Sequence, residues 1–266
     1  MAKVISGSLQ SRLIQKALPY RVIQPAAYEI SDKQFPVLYL LHGLFGNCDN
    51  WIELTDIREY VEQHELLVVA PDSGNNWYTD SATAENERFE SYLTDELIPE
   101  IERTFRVNTS RGGRAIAGIS MGGYGAFKFA LRRPDLFVYA GSSSGAFHAA
   151  TMNAESCGGD WPEFEESIMR AFGEPGSETR ARNDAYKLVS EINDGKAAEL
   201  PFFYLDCGDR DSFVNANRKF AELLENKKIA HHYRELPGGH EWPYWNERVK
   251  EILETADTIF AGQANF

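Results

Sequence analysis

The chain has 266 residues, 43% of them hydrophobic and 25% charged, which fits one large folded domain over 1–266 and excludes wholesale disorder. Forty acidic side chains against 27 basic ones leave a net charge of −13 and no basic cluster, so neither nucleic acid nor an anionic membrane is an expected partner. The three cysteines, Cys48, Cys157 and Cys207, are scattered without CxxC spacing, which argues against a disulfide framework or a zinc site.

No apolar stretch approaches the ~18 residues of a membrane span. The first residues, Met1-Ala2-Lys3-Val4-Ile5, lack the apolar core of a leader peptide, so a cytoplasmic protein is expected.

Residues 4–23 read as two alternating antiparallel strands at a sheet edge. Short apolar runs follow at 37–41 and 66–70. Over 90–105, Leu93, Leu97, Ile101 and Phe105 recur every four positions and draw one helical stripe, with Pro99 inside it predicting a kink or a late start. The run 114–119 precedes a helical pattern over 121–133 that Pro134 ends.

After a run at 137–140 the rhythm breaks. Residues 147–200 hold Gly158-Gly159, Trp161-Pro162 and Gly173-Glu174-Pro175-Gly176, and read as an insertion over the end of the sheet. Strand-like runs return at 202–205 and 231–236. A last helix over about 245–260 repeats Val249, Ile252, Leu253, Ala256 and Ile259. All of these runs but the last are nearly continuous rather than alternating, the pattern of strands covered on both faces. The expected class is α/β: a mostly parallel sheet with helices on both faces, antiparallel N-terminal edge strands and an insertion before 202–205.

Gly118-Ile119-Ser120-Met121-Gly122 is a GxSxG pentapeptide between a strand pattern and a helix pattern, the setting in which a serine stands at a sharp strand-to-helix corner. A serine hydroxyl needs a base, and the base needs an orienting carboxylate. His42 comes too early in the chain for that base. His240 closes Pro237-Gly238-Gly239-His240, a turn after the last strand that can carry an imidazole over the sheet edge. The segment Asp206-Cys207-Gly208-Asp209-Arg210-Asp211 offers the acid: Asp206 belongs to the strand, while Asp209 and Asp211 lie in the loop, and pattern alone does not separate those two. The order Ser, Asp, His is that of the α/β-hydrolases.

Together with Leu40-Leu41-His42-Gly43-Leu44, Val69-Ala70-Pro71-Asp72, Trp77-Tyr78-Thr79-Asp80, Ser120-Met121-Gly122-Gly123-Tyr124-Gly125-Ala126, 208–213 and Gly238-Gly239-His240, the chain resembles the esterase-D/antigen-85-like branch of the α/β-hydrolases, the putative-esterase family with feruloyl and tributyrin esterases. The resemblance covers nearly the whole chain. It implies Asp211 as the acid, backbone N–H groups of Leu44 and Met121 as the oxyanion hole, and a small-molecule ester as substrate; without HExxH, clustered His/Asp, GxGxxG or P-loop patterns, no metal or cofactor is expected.

Trp77 and Tyr78 follow the 66–70 strand closely enough to reach the active-site edge, and Trp161 and Phe164 of the insertion could form an opposite wall. Such a pocket suits short acyl or aryl esters, hydroxycinnamoyl esters included. Related alternatives are an S-formylglutathione hydrolase and an acyltransferase; a silent binding module is remote. Phe45-Gly46-Asn47-Cys48 after Leu44, and Tyr124 in place of a histidine, depart from the S-formylglutathione hydrolase pattern. Homo-oligomerisation is left open by the sequence.

Overall fold

The computed structural model describes residues 1–152 and 162–262. Eight strands form one sheet: β1 (Lys3–Gln10), β2 (Ala17–Gln24), β3 (Val37–Leu41), β4 (Leu67–Pro71), β5 (Arg114–Ile119), β6 (Tyr139–Ser143), β7 (Phe202–Gly208) and β8 (His231–Leu236). Their order is β1-β2-β4-β3-β5-β6-β7-β8. The expected N-terminal hairpin is antiparallel, β2 joins β4 antiparallel, and every pairing from β4 through β8 is parallel. This is the α/β-hydrolase fold.

Alternation along the central strands divides their side chains between two cores. Val37, Tyr39 and Leu41 of β3 point into one, and Leu38 and Leu40 into the other. The first core is covered by α4 (Ile98–Thr104), α5 (Met121–Arg132), α8 (Ala185–Ser190) and α10 (Val214–Asn226). The second lies under α1 (Asn50–Glu53), α2 (Ile57–Val61) and α11 (Trp242–Phe260), with Trp51, Ile57, Val61, Val249, Ile252 and Leu253 all fully buried. Burial on both faces is why these strands are apolar without interruption.

The break expected at Pro99 is a change of helix type. A short turn, α3 (Phe89–Ser91), passes into a π-helical stretch (Tyr92–Leu97), and α4 starts with Pro99 in its first turn, where a missing N–H costs least. Between β6 and β7 the chain leaves the sheet through a 3-10 turn (Ala149–Thr151), α6 (Pro162–Phe172), α7 (Glu178–Asn183), α8 and α9 (Asp194–Ala197). Trp161 lies outside the described residues. Among the described residues, no helix is long and apolar enough to cross a membrane.

Candidate active site

Ser120 stands between β5 and α5 with φ 51° and ψ −116°, a backbone conformation that costs an ordinary residue about 1–3 kcal/mol. The surroundings fix it there. Its N–H donates to the Ser143 carbonyl at 3.0 Å, and its carbonyl accepts from Tyr124 at 3.0 Å and Ala146 at 3.1 Å. The flanking glycines leave the space this corner requires. A Cβ on Gly118 would lie 2.5 Å from the Gly122 carbonyl carbon, and one on Gly122 would lie 2.5 Å from the Leu41 oxygen.

Ser120 Oγ lies 3.0 Å from His240 Nε2, and His240 Nδ1 lies 2.9 Å from Asp211 Oδ2. Asp211 is almost fully buried, which opposes ionisation. The hydrogen bond and charge of His240 and the Phe213 N–H at 2.8 Å outweigh that burial and hold the carboxyl below its usual range. An ionised Asp211 only accepts, so Nδ1 carries the proton and Nε2 is left to accept from the serine hydroxyl. The rings of Phe213 and Trp245 meet the imidazole edge-on at 4.8 and 4.9 Å. Asp209 has a different place: its Oδ1 accepts the Gly238 N–H at 3.0 Å and pins the turn that carries His240.

His42 is wholly buried, and burial pushes its pKa down. Its Nε2 accepts from the Ser73 N–H at 3.1 Å, so Nδ1–H donates to the Gly43 carbonyl at 2.7 Å. The neutral ring thereby shapes the turn before Leu44. Among the described residues neither the Leu44 N–H nor the Met121 N–H has a protein acceptor, and the latter opens α5, where backbone donors are unpaired.

A cavity of about 980 Å³ opens over Ser120 and His240. Leu44, Phe45 and Leu54 line it on one side, Met152 and Phe164 on another, and Phe213, Trp242 and Trp245 beside the imidazole. Trp77 and Tyr78, expected at this pocket, are not among its lining residues; both are 1% exposed. Trp77 packs on Tyr124, Phe164 and Phe172 and donates its Nε1–H to Ser167 Oγ at 3.1 Å, while the Tyr78 hydroxyl donates to the His42 carbonyl at 3.1 Å. Their left-handed backbone, φ 59° and 53°, turns both rings down into the core instead of across the mouth. Phe164 does line the cavity, and it rests on Trp77. Among the described residues, no group of three or more His, Cys, Asp or Glu side chains could hold a metal ion.

The profile of the putative esterase family matches residues 11–256. The chain belongs to that family. An acetyl esterase of Caldicellulosiruptor saccharolyticus is 29% identical over 228 residues, 85% of each protein. A solved ferulic acid esterase is 27% identical with a TM-score of 0.83, over 97% of this chain and 99% of that one. An S-formylglutathione hydrolase from Staphylococcus aureus is 26% identical with a TM-score of 0.81, over 96% and 99%.

This esterase also has site residues that the sequence reading passed over. Trp242, Trp245 and Phe213 line the cavity without having been anticipated. Two of them had a usable signal, since Trp242 and Trp245 stand within five residues of His240, at the start of α11. Met152 had none, because it sits in the insertion with no nearby motif.

Proposed function

We propose that the protein hydrolyses carboxylic esters of short acyl or aryl type, hydroxycinnamoyl esters among them, through an acyl-enzyme on Ser120. The observation that carries this reading is the continuous chain Asp211–His240–Ser120, with contacts of 2.9 and 3.0 Å, at the floor of a largely apolar cavity. His240 takes the hydroxyl proton as Ser120 Oγ attacks the ester carbonyl, and buried, ionised Asp211 balances the imidazolium. The oxyanion forms beside the N–H groups of Leu44 and Met121, each such donor typically worth ~10²–10³ in turnover. Imidazolium then protonates the departing alcohol. Water, deprotonated by the same imidazole, releases the acid.

The charge of the cavity favours uncharged esters over glutathione thioesters. Among its described lining residues the charged carboxylate is Glu241, and none is Lys or Arg. Glutathione's two carboxylates would therefore enter without a cationic partner. Aromatic walls from Phe164, Phe213 and Trp242 suit a planar acyl group instead.

The test is a p-nitrophenyl ester series from acetate to decanoate, run beside methyl ferulate and S-formylglutathione, with fluorophosphonate labelling. Wild-type protein should be labelled at Ser120, and Ser120→Ala should lose labelling and at least ~10³-fold of ester turnover. Ester cleavage that survives Ser120→Ala rejects the mechanism. Faster turnover of S-formylglutathione than of every ester rejects the substrate class.

A further inference from the structure

Asp206 takes no part in the reaction above, yet its carboxylate is wholly buried at the end of β7. Removing a carboxylate from water costs several kcal/mol unless donors replace its hydration. Burial pushes this carboxyl up to about 7 even against the donors around it. Its Oδ2 has no hydrogen-bond partner among the described residues. An apolar side chain of similar size would avoid that cost, so stability alone does not account for an aspartate here.

Its two hydrogen bonds show what it joins. Oδ1 accepts from Ser143 Oγ at 2.6 Å and from the Tyr244 hydroxyl at 2.8 Å. Ser143 ends β6, and its carbonyl holds the Ser120 N–H. Tyr244 lies in the first turn of α11, four residues beyond His240. A parallel route runs beside it. The Asp206 carbonyl accepts the Ser144 N–H at 2.8 Å, Ser144 Oγ accepts the Trp245 indole N–H at 3.1 Å, and Trp245 sets its ring against His240. Both routes connect the support of the serine to the support of the imidazole.

We propose that Asp206 is a positioning residue for ester hydrolysis: its carboxylate ties the end of β6 beneath Ser120 to the first turn of α11 and so sets the imidazole over the hydroxyl. This rests on the proposed roles of Ser120 and His240. A misplacement of about 1 Å between reacting groups can cost ~10²-fold, so a clamp directly under that contact acts on turnover and not on affinity.

The experiment measures kcat and KM for p-nitrophenyl acetate, the fluorophosphonate labelling rate and the melting temperature of Asp206→Ala, Asp206→Asn, Tyr244→Phe and Ser120→Ala. Asp206→Ala is expected to lose about 10–100-fold in kcat and in labelling rate, with KM within about twofold. Asparagine keeps an acceptor oxygen for both hydroxyls and should restore most of the loss. Tyr244→Phe should fall between them and cost nothing further when combined with Asp206→Ala.

A folded Asp206→Ala with unchanged kcat overturns the proposal, as does an asparagine variant as slow as the alanine one. Should Asp206→Ala fail to fold, Tyr244→Phe decides, since an unchanged kcat there overturns the clamp and a lowered one supports it. Hydrolysis surviving in Ser120→Ala would instead defeat the underlying site reading. An inactive Ser120→Ala beside a fully active Asp206→Ala defeats the clamp alone.

Discussion

On the floor of the cavity, the groups around Ser120 are held by strand ends and by backbone. Ser143 O fixes the serine N–H, Asp209 fixes the Gly238 N–H, and the parallel register of β5, β6 and β7 sets their spacing. The wall is built another way. Phe164 rests on the Trp77 ring at 5.8 Å, and Trp77 rests on Tyr124 and Phe172. The Arg180 guanidinium, itself buried, donates to the carbonyls of Ala150 and Met152. A floor knit from strand-end backbone bonds and the buried Asp206 carboxylate keeps its geometry when side chains of the wall change; a wall made of side chains resting on side chains is reshaped by a single substitution. On the proposed function, chemistry is expected to depend on the first and selection of the acyl group on the second.

The sharpest way to break that division is on the floor. Asp211→Asn removes the charged acceptor that fixes the His240 tautomer, and in serine-histidine-aspartate sites such a change lowers kcat by ~10⁴. A loss of about 10³–10⁴ is expected here, read by steady-state kinetics on p-nitrophenyl acetate. Asp209→Asn keeps an oxygen facing the Gly238 N–H and should cost no more than about tenfold. Equal losses would mean that the floor works through the shape of its loop and not through a charge.

Trp77→Ala tests the wall. Emptying this buried ring's space should cost about 3–5 kcal/mol in denaturant unfolding, because Phe164 and Phe172 lose the surface they pack on. The fluorophosphonate labelling rate of the folded enzyme, which reports the floor, should stay within about threefold. A collapse of labelling together with stability would erase the distinction between the two regions.

Away from the cavity, α5 carries a buried ion cluster. Lys128 of α5 is fully buried and donates to the Tyr78 carbonyl at 2.7 Å and to Glu90 at 2.8 Å. Burial opposes the charge on Glu90, but Lys128 and Arg132 outweigh it and hold the carboxyl at about 2. The folded value lies below the unfolded one, so this stabilisation is complete above about pH 4.5 and is lost as pH falls towards 2. Glu90→Gln should therefore be less stable than wild type by roughly 2–3 kcal/mol at pH 7, with the gap closing on acidification. Urea unfolding at a series of pH values checks it, and a gap independent of pH would contradict it.

The sequence announced the strands that are apolar on both faces. The predicted 37–41 and 114–119 coincide with β3 and β5, and the less continuous 231–236 coincides with β8. The expected 137–140 is displaced, because β6 continues through Gly141-Ser142-Ser143; β7 includes Asp206, as expected, and runs on through Cys207-Gly208. Both strand ends are polar for one reason: Ser143 and Asp206 bond each other beneath Ser120. The hydropathy signal therefore fades where the site begins. Ser120, His240 and Asp211 were legible through motif, turn chemistry and family likeness. Trp77 and Tyr78 were misjudged because nearness to a strand end does not fix the direction of a side chain; two left-handed residues in succession do.

The smallest effect, and the one that reads selection most directly, is Phe164→Ala. The ring faces the cavity on one side and Trp77 on the other, so its removal widens the wall and also costs stability. Those two consequences separate if methyl ferulate and p-nitrophenyl acetate are compared on one preparation, since any loss of folded enzyme cancels in the ratio of kcat/KM values. An acetyl group is too short to reach the wall and should report little change. A feruloyl ring stacked there would lose contact worth about 1–2 kcal/mol, shifting the ratio roughly tenfold against ferulate. An unchanged ratio would turn the acyl group away from Phe164 and towards Trp242, on the imidazole side of the cavity. Selection would then fall to residues anchored beside the floor, and the division of labour between the two regions would have to be redrawn.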